Sequence, residues 1–367
     1  MLTDHSGDPL TRRELLRRVG RLEQVAGIEP FAFDDGPSRG VRALRFRTGS
    51  GLSFDVLPDR GMDLGFAEHG GTPLAWLSPN GVVAPHFHEP QGEGWLNSFP
   101  GGLLVTCGLR NVGPPGERRG EEFGLHGRAS HIPASRVAYD AFWDEEGCVL
   151  EASGQIREAG VFGPNLLLRR RIRARVGESR IEIEDKIENE GFEPEPLMVL
   201  YHINLGWPLL DETSHLVGPG ITGEPPEPRD EVARAGLDAW DRFAPPTPGF
   251  RERVFYHRPA VESSGLAEAR LENPALGLVF SVKFHPGELP EFVQWTMTGE
   301  GTYVLGLEPA TCRVEGPAAE EAAGRILRLE PGETRTHRLE IEVSARYALR
   351  APLVGTPASQ ACRHAQP

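Results

Sequence analysis

Residues 165–189, NLLLRRRIRARVGESRIEIEDKIEN, decide the fold class. Apolar and charged residues alternate through both halves of this stretch, which is the period of a strand with one buried face. Gly177 and Glu178 separate the halves, so we predict a long β-hairpin with its turn there. The face that meets solvent is marked by alternating arginines in the first strand: Arg169, Arg171, Arg173 and Arg175.

Runs with a strand period recur over most of the chain. The 44 glycines and 33 prolines lie mostly between these runs, where they suit turns. The chain shows no repeat with a period of about 20 to 50 residues and no linker. We therefore predict one large, mainly all-β protein built as an antiparallel β-sandwich. The other runs are residues 41–48, 52–58, 148–158, 277–284, 302–309 and 337–345.

An amphipathic helix is predicted near the N-terminus, over residues 11–25 (TRRELLRRVGRLEQV). Its apolar residues fall at helical spacing, and we expect that face to pack against the edge of the main fold. The predicted organisation is a helical extension over residues 1–30, a sandwich domain over residues 31–347 and a tail over residues 348–367. The tail has few large apolar residues, so we expect it to be mobile.

The charge balance argues against several kinds of partner. Lys and Arg number 39 against 53 Asp and Glu, a net charge of −14. Such a surface repels phosphate backbones and anionic lipids, so we expect neither nucleic acid nor membrane as a partner. Four cysteines without CxxC spacing and an N-terminus without a signal-like apolar run predict a soluble cytoplasmic protein. Sandwich edges and the N-terminal helix could both support a homodimer.

Three short segments carry proton-handling side chains among small or turn-forming residues. His126 lies in GLHGR, His202 in LYHIN and Glu308 in LGLEP. Two imidazoles and a carboxylate suffice to move a proton onto one oxygen while removing it from another. Each also has a structural interpretation: a surface-turn histidine, a buried histidine satisfied by backbone, and an edge glutamate that reaches water. A catalytic site is expected if folding brings the three together.

Side chains near these segments are candidate ligand contacts. Guanidinium and amide groups suit sugar hydroxyls or carboxylates, and an indole can stack on the apolar face of a sugar. Residue 204 would share a strand face with residue 202, so the two could contact one ligand. The candidates are Arg110, Asn111, Arg128, Asn204, Gln294 and Trp295.

The order of the motifs resembles that of the aldose 1-epimerases, the galactose mutarotase-like superfamily. In this order a His-Gly is followed by a histidine before Asn-Leu, and then by Leu-Glu-Pro near the C-terminus. Longer stretches are similar to the branch of that superfamily called the DUF4432 proteins, and the resemblance spans roughly residues 40–343. The stretches are PDRGMDLG (58–65), GGLLVTCGLRNVGPPGE (101–117), EPLMVLYHINLGWPLLDE (195–212) and YVLGLEPATC (303–312).

The resemblance implies a large β-sandwich that acts on a free aldose or sugar derivative as an isomerase and needs no cofactor. It implies Glu308 as general base, His202 as general acid and His126 as a substrate-binding imidazole. Arg60 is the implied counterpart of an arginine that the family carries near the start of the sheet. The expected chemistry is ring opening and closure at the anomeric carbon, which interconverts the two anomers.

Two other functions stay open on the same scaffold. One is a metal-assisted lyase or isomerase acting on a modified sugar. His86 and His88 would be its candidate ligands, together with Glu89 or His131. Since a His-x-His pattern alone is a weak signal, we expect no metal. The other is a carbohydrate-binding protein without turnover, because a fold alone does not settle activity.

Overall fold

The structure is a computed structural model that describes Leu2, residues 10–220 and residues 224–345. Within these residues the chain forms 22 strands and three short α-helices, and most strands belong to two antiparallel sheets. The predicted β-sandwich is therefore confirmed. The predicted tail over residues 348–367 lies outside the described residues.

The secondary structure has the following bounds. The helices are α1 (Arg12–Leu16), α2 (Glu231–Arg234) and α3 (Pro317–Ala322). The first strands are β1 (Gly27–Ala32), β2 (Arg42–Arg47), β3 (Leu52–Leu57), β4 (Asp63–His69), β5 (Thr72–Pro73), β6 (Leu104–Leu109), β7 (Gly116–Arg118), β8 (Glu121–Phe123), β9 (Ser135–Asp144), β10 (Gly147–Ala159) and β11 (Asn165–Arg175). The others are β12 (Arg180–Asn189), β13 (Glu195–Gly206), β14 (His215–Val217), β15 (Glu227–Pro228), β16 (Arg253–His257), β17 (Ala267–Asn273), β18 (Leu278–Phe284), β19 (Glu291–Gly299), β20 (Thr302–Ala310), β21 (Leu327–Leu329) and β22 (Thr334–Ala345).

The larger sheet has 12 strands, ordered β1-β2-β3-β4-β6-β13-β20-β19-β16-β15 with β5 beside β4 and β21 beside β13. The smaller sheet has eight, ordered β14-β17-β18-β22-β12-β11-β10-β9. The predicted hairpin over residues 165–189 is β11 and β12, with Ile172 opposite Ile183. Its outward arginines pair with acidic residues of adjacent strands: Arg171 bonds to Glu184 of β12 at 3.0 Å, whereas Arg173 bonds to Glu151 of β10 and Arg175 to Asp144 of β9.

Strand β13 is buried on both of its faces. Val199 and Tyr201 belong to the main core between the sheets. Met198 and Leu200 belong to a second apolar cluster on the opposite face of the larger sheet, which also contains Trp95 from a loop that covers that face. A strand covered on both sides needs apolar residues at consecutive positions, which explains the unbroken run PLMVL that begins this strand.

The N-terminal helix is shorter than predicted. Helix α1 covers only Arg12–Leu16, and Thr11 caps it together with Glu14. Gly20 and the closely spaced arginines at positions 17, 18 and 21 disfavour continuation of the helix after Leu16. Strand β1 then begins at Gly27 as the edge strand of the larger sheet. The apolar face packs inward as expected, because Leu15 is buried.

A buried polar network joins the two sheets beneath β13. Arg170 donates to Asp185 through two hydrogen bonds of 2.9 and 2.6 Å and to Asp63 through a third of 3.0 Å. The Tyr201 hydroxyl donates to Asp185 at 2.7 Å and lies 3.2 Å from His337 Nδ1. All five side chains are buried. The network holds Tyr201 towards the smaller sheet, so the next residue of the strand faces the other way.

One further property concerns membranes. Among the helices of the described residues, none combines the length and apolar character required to span a bilayer.

Candidate functional site

A cavity of about 810 Å³ opens on the face of the larger sheet that points away from the smaller sheet. Strands β13, β19 and β20 contribute to its lining, together with loops over residues 76–99 and 113–126. His126, His202 and Glu308 all line it. The structure therefore brings together the three segments on which the sequence interpretation depended.

Glu308 and His202 form a close pair of ionisable groups in the cavity. Glu308 Oε1 lies 3.3 Å from His202 Nε2, and the two residues sit on neighbouring strands because Ile203 opposes Leu307 in the β13–β20 ladder. Gly306 makes room for the carboxyl group, since a Cβ there would lie 2.2 Å from Glu308 Oε1. Within the described residues, neither Glu308 Oε1 nor His202 Nδ1 has an aligned hydrogen-bond partner.

Burial sets the protonation of this pair. Glu308 is 2% exposed and His202 is 5% exposed. Burial, reinforced by the nearby charge of Glu252, raises the pKa of Glu308 well above its usual range. Burial lowers the pKa of His202 to about 4. Burial therefore favours a protonated carboxyl group beside a neutral imidazole whose free nitrogen can accept a proton.

His126 presents a neutral ring in one tautomer. Its backbone φ of 55° lies in the left-handed region, and its Nδ1 accepts a hydrogen bond of 3.3 Å from the Gly113 N–H. Burial, followed by repulsion from His202, lowers the pKa of His126 to about 3. The ring proton is therefore on Nε2. The next residue, Gly127, allows a close backbone approach, because a Cβ there would lie 2.4 Å from Gly108 O.

Aromatic side chains make up much of the cavity lining. Trp295, which the sequence singled out for stacking, is among them, and its ring centroid lies 5.3 Å from that of His202. Trp95 stacks on Phe99 at 4.4 Å and is 3% exposed. In the part of the chain that the structure describes, Trp95 Nε1 has no hydrogen-bond partner. Rings with free donors and apolar faces are suited to a sugar.

The wall beside Trp295 carries charges. Glu252 accepts hydrogen bonds from Trp295 Nε1 at 2.9 Å and from Arg229 at 3.0 Å. Glu315 accepts a short hydrogen bond from the Tyr256 hydroxyl. Glu252, Arg229 and Glu315 all line the cavity. Sequence reasoning missed these residues, because a lone charged residue in a loop carries no periodic or motif signal.

Arg60, Arg110 and Arg128 lie outside the cavity lining, so the structure does not bring these predicted contacts to the site. Arg60 is 1% exposed, and its guanidinium donates to backbone carbonyls at 2.5, 2.8 and 3.0 Å. Arg110 forms ion pairs with Glu121 and with Glu195, the latter at 3.1 Å. Arg128 is exposed to solvent.

The three predicted amide contacts also lie outside the lining. Asn111 Nδ2 donates to a backbone carbonyl at 2.7 Å, and Asn204 Nδ2 donates to two, at 2.9 and 3.0 Å. Gln294 is fully buried and bonds to the His257 ring at 2.9 Å. Their amide nitrogens hold the loops and strands around the cavity, whereas the Oδ1 atoms of Asn111 and Asn204 have no partner among the described residues.

The two metal-ligand candidates His86 and His88 lie in different environments. His86 is exposed, whereas the His88 ring stacks on that of His131 at 3.8 Å with an interplanar angle of 17°. Over the described ranges, no group of three or more histidine, cysteine, aspartate or glutamate side chains is arranged to hold a metal ion. Neither His86 nor His88 is in the cavity lining.

The fold and the site define a galactose mutarotase-like β-sandwich with a buried carboxyl–imidazole pair. The chain belongs to the DUF4432 family, described as a domain of unknown function, whose family model matches residues 38–343. This confirms the resemblance stated from the sequence. No protein of curated function matches the chain.

Solved structures share the fold. A provisionally assigned aldose 1-epimerase of Klebsiella pneumoniae is 28% identical with a TM-score of 0.81, over 86% of this chain and 83% of that one. A galactose mutarotase-like protein of Clostridium acetobutylicum is 12% identical with a TM-score of 0.61, over 88% and 99%. A galactose 1-epimerase of Lactobacillus acidophilus is 14% identical with a TM-score of 0.54, over 88% and 100%. The last two are similar in fold alone.

Proposed function

We propose that the protein is a carbohydrate isomerase that interconverts the anomers of a free sugar or a close derivative, without a cofactor. The observation that carries this proposal is the pair formed by Glu308 and His202, 3.3 Å apart and buried in an aromatic-lined cavity. The similarity to the Klebsiella protein, itself assigned as an aldose 1-epimerase, points to the same chemistry.

The reaction needs one proton donor and one proton acceptor. During ring opening, the acceptor takes the proton of the anomeric hydroxyl, the bond from C1 to the ring oxygen breaks, and the donor protonates that oxygen. Rotation about the adjacent carbon–carbon bond then presents the other face of the new carbonyl, and the two groups reverse roles on closure. Proton transfer at a positioned group contributes about 10²–10⁴ in rate.

The Glu308–His202 pair suits either direction of this transfer. Burial favours a proton on the carboxyl group while the imidazole is neutral, so the pair contains one donor and one acceptor. The family resemblance implies the opposite assignment, with Glu308 as base and His202 as acid. Either assignment gives the pair one proton donor and one proton acceptor. Glu308 and His202 exchange these two roles between ring opening and ring closure. His126, with its proton on Nε2, would donate to another oxygen of the same sugar.

The experiment measures catalysed anomerisation by polarimetry or exchange NMR on a panel of aldoses. Glu308→Gln and His202→Gln should each lower the rate by about 10²–10⁴. Glu145→Gln, at an exposed position between β9 and β10, serves as the matched control and should keep the wild-type rate. Wild-type rates in both site variants would remove the assignment. Sugar binding without catalysed anomerisation by the wild type would favour a carbohydrate-binding protein.

A further inference from the structure

The cavity carries an uneven set of charges. Among the described residues, the lining contains the carboxyl groups of Glu93, Glu252 and Glu315 in addition to Glu308, but only one cationic side chain, Arg229. Arg229 is bonded to Glu252 at 3.0 Å. Both imidazoles of the site are neutral at neutral pH, because burial lowers the pKa of each. The lining is therefore net negative, as is the chain with its charge of −14.

The same lining contains buried polar atoms that have no hydrogen-bond partner among the described residues. Trp95 Nε1, His202 Nδ1 and Glu308 Oε1 have no hydrogen-bond partner within the described residues. Their side chains are more than nine-tenths buried, with residue exposures of 3%, 5% and 2%. Unpartnered buried polar groups are costly, so a polar ligand in this cavity recovers their hydrogen bonds. The acidic groups thus surround a built site and are not merely a solvated patch.

We propose that the cavity selects its sugar by charge: it binds an amino sugar more tightly than the parent sugar and discriminates against phosphorylated or carboxylated sugars. This inference rests on the proposed function for the identity of the ligand as a sugar. A cleft lined by one sign of charge attracts ligands of the opposite sign and repels those of the same sign. Glu315 is the best-defined determinant, because its carboxyl group lines the cavity and its hydrogen bond comes from a neutral group, the Tyr256 hydroxyl.

The test compares four ligands at low salt and at about pH 6, where an amine is protonated. The probes are D-galactose, D-galactosamine, N-acetyl-D-galactosamine and D-galactose 6-phosphate, with the gluco series as a second set. Titration calorimetry gives each dissociation constant. The amino sugar should bind about two- to five-fold more tightly than the parent, and the phosphate correspondingly more weakly, as for charge pairs at partly exposed sites. The N-acetyl sugar controls for the size of the substituent.

Two changes should reduce the preference. Added salt screens it, and Glu315→Gln removes the charge while its amide oxygen can still accept from Tyr256. Glu145→Gln changes the net charge equally, but it lies on an exposed turn outside the cavity and should leave the preference intact.

The outcomes separate this inference from the proposed function. Equal binding of the four probes, tighter binding of the phosphate, or a preference that Glu315→Gln does not alter overturns charge selection, while catalysed anomerisation of the parent sugar would still support the isomerase. If the protein prefers ligands by charge but does not catalyse anomerisation, the charge-selection proposal is supported and the isomerase proposal is overturned. The absence of binding by every probe overturns both.

Discussion

Tyr201 and His202 are consecutive residues of β13, yet they belong to two opposite kinds of buried polar site. The Tyr201 side contains Arg170 and Asp185, which are joined by two hydrogen bonds and buried between the sheets. The His202 side contains Glu308 and an imidazole nitrogen without a partner among the described residues. The bonded groups of the network stabilise the fold, whereas the unpartnered groups that line the cavity can still form hydrogen bonds with a ligand.

The largest expected effect is on stability and concerns the network. Burial alone would lower the pKa of Arg170. The charges of Asp185 and Asp63 outweigh that effect and raise the pKa, so the guanidinium keeps its charge. Asp185→Asn removes the main counter-charge and should lower the free energy of unfolding by about 3–5 kcal/mol. Glu308→Gln should change it by only about 1 kcal/mol or less, because no partner is lost. Chemical denaturation of both variants measures the difference, and equal losses would contradict the distinction.

The next effect concerns the space beside Gly306 that the Glu308 carboxyl group occupies. Gly306→Ala would place a methyl group 2.2 Å from the present position of Glu308 Oε1 and must displace the carboxyl group. A misplacement of about 1 Å costs about 10² in rate, and anomerisation assays on the folded variant measure it. Gly287→Ala is the matched control, because a Cβ there meets nothing within 4 Å. An unchanged rate in Gly306→Ala would argue that the position of Glu308 does not matter.

The pH dependence of the catalysed rate tests the proposed protonation of the cavity pair, with the proton on Glu308 and a neutral His202. Below about pH 4, the lowered pKa of His202, the imidazole also gains a proton, and the rate should fall as pH falls because no acceptor remains. Above the raised pKa of Glu308 the carboxyl group loses its proton and no longer acts as a donor, so the rate should fall as pH rises. Between these limits the catalysed rate, corrected for the spontaneous reaction, should be flat. A steep change at about pH 6 to 7, as for an ordinary imidazole, would contradict this picture.

The same comparison shows what a sequence can reveal. The strand period of residues 165–189 depends on burial of one face, and the hairpin formed as predicted. His126, His202 and Glu308 were found because a proton-handling side chain beside small residues is unusual enough to notice. Whether a polar side chain already has hydrogen-bond partners depends on segments that are distant in the chain. A local sequence pattern contains no information about those segments.

Two pairs of residues illustrate that limit. Arg60 offers the same guanidinium as Arg229, yet Arg60 is enclosed by backbone carbonyls of residues 83, 98 and 130, whereas Arg229 lines the cavity. Asn204 shares a strand with His202 at the predicted spacing, but a turn at Gly102 supplies a carbonyl that takes its amide. Residue type and spacing were the same kind of evidence in each case, and only the tertiary partners differ.

The smallest expected effect concerns Trp95, whose indole N–H has no hydrogen-bond partner among the described residues. Trp95→Phe keeps an aromatic ring against Phe99 but removes Nε1–H. If that group donates to a bound sugar, the dissociation constant should rise by about two- to ten-fold, the net value of one hydrogen bond. Protein stability should not fall by a comparable amount, because no hydrogen bond within the described residues is lost.

Trp143→Phe is the matched control, since Trp143 lies on β9 outside the cavity, and it should leave sugar affinity unchanged. The opposite pattern, in which Trp95→Phe destabilises the protein and leaves affinity intact, would place Trp95 with the Tyr201 network as a structural residue. In that case a buried polar atom without a hydrogen-bond partner would no longer indicate the ligand site, because Trp95 Nε1 is such an atom and Trp95 would serve only the fold.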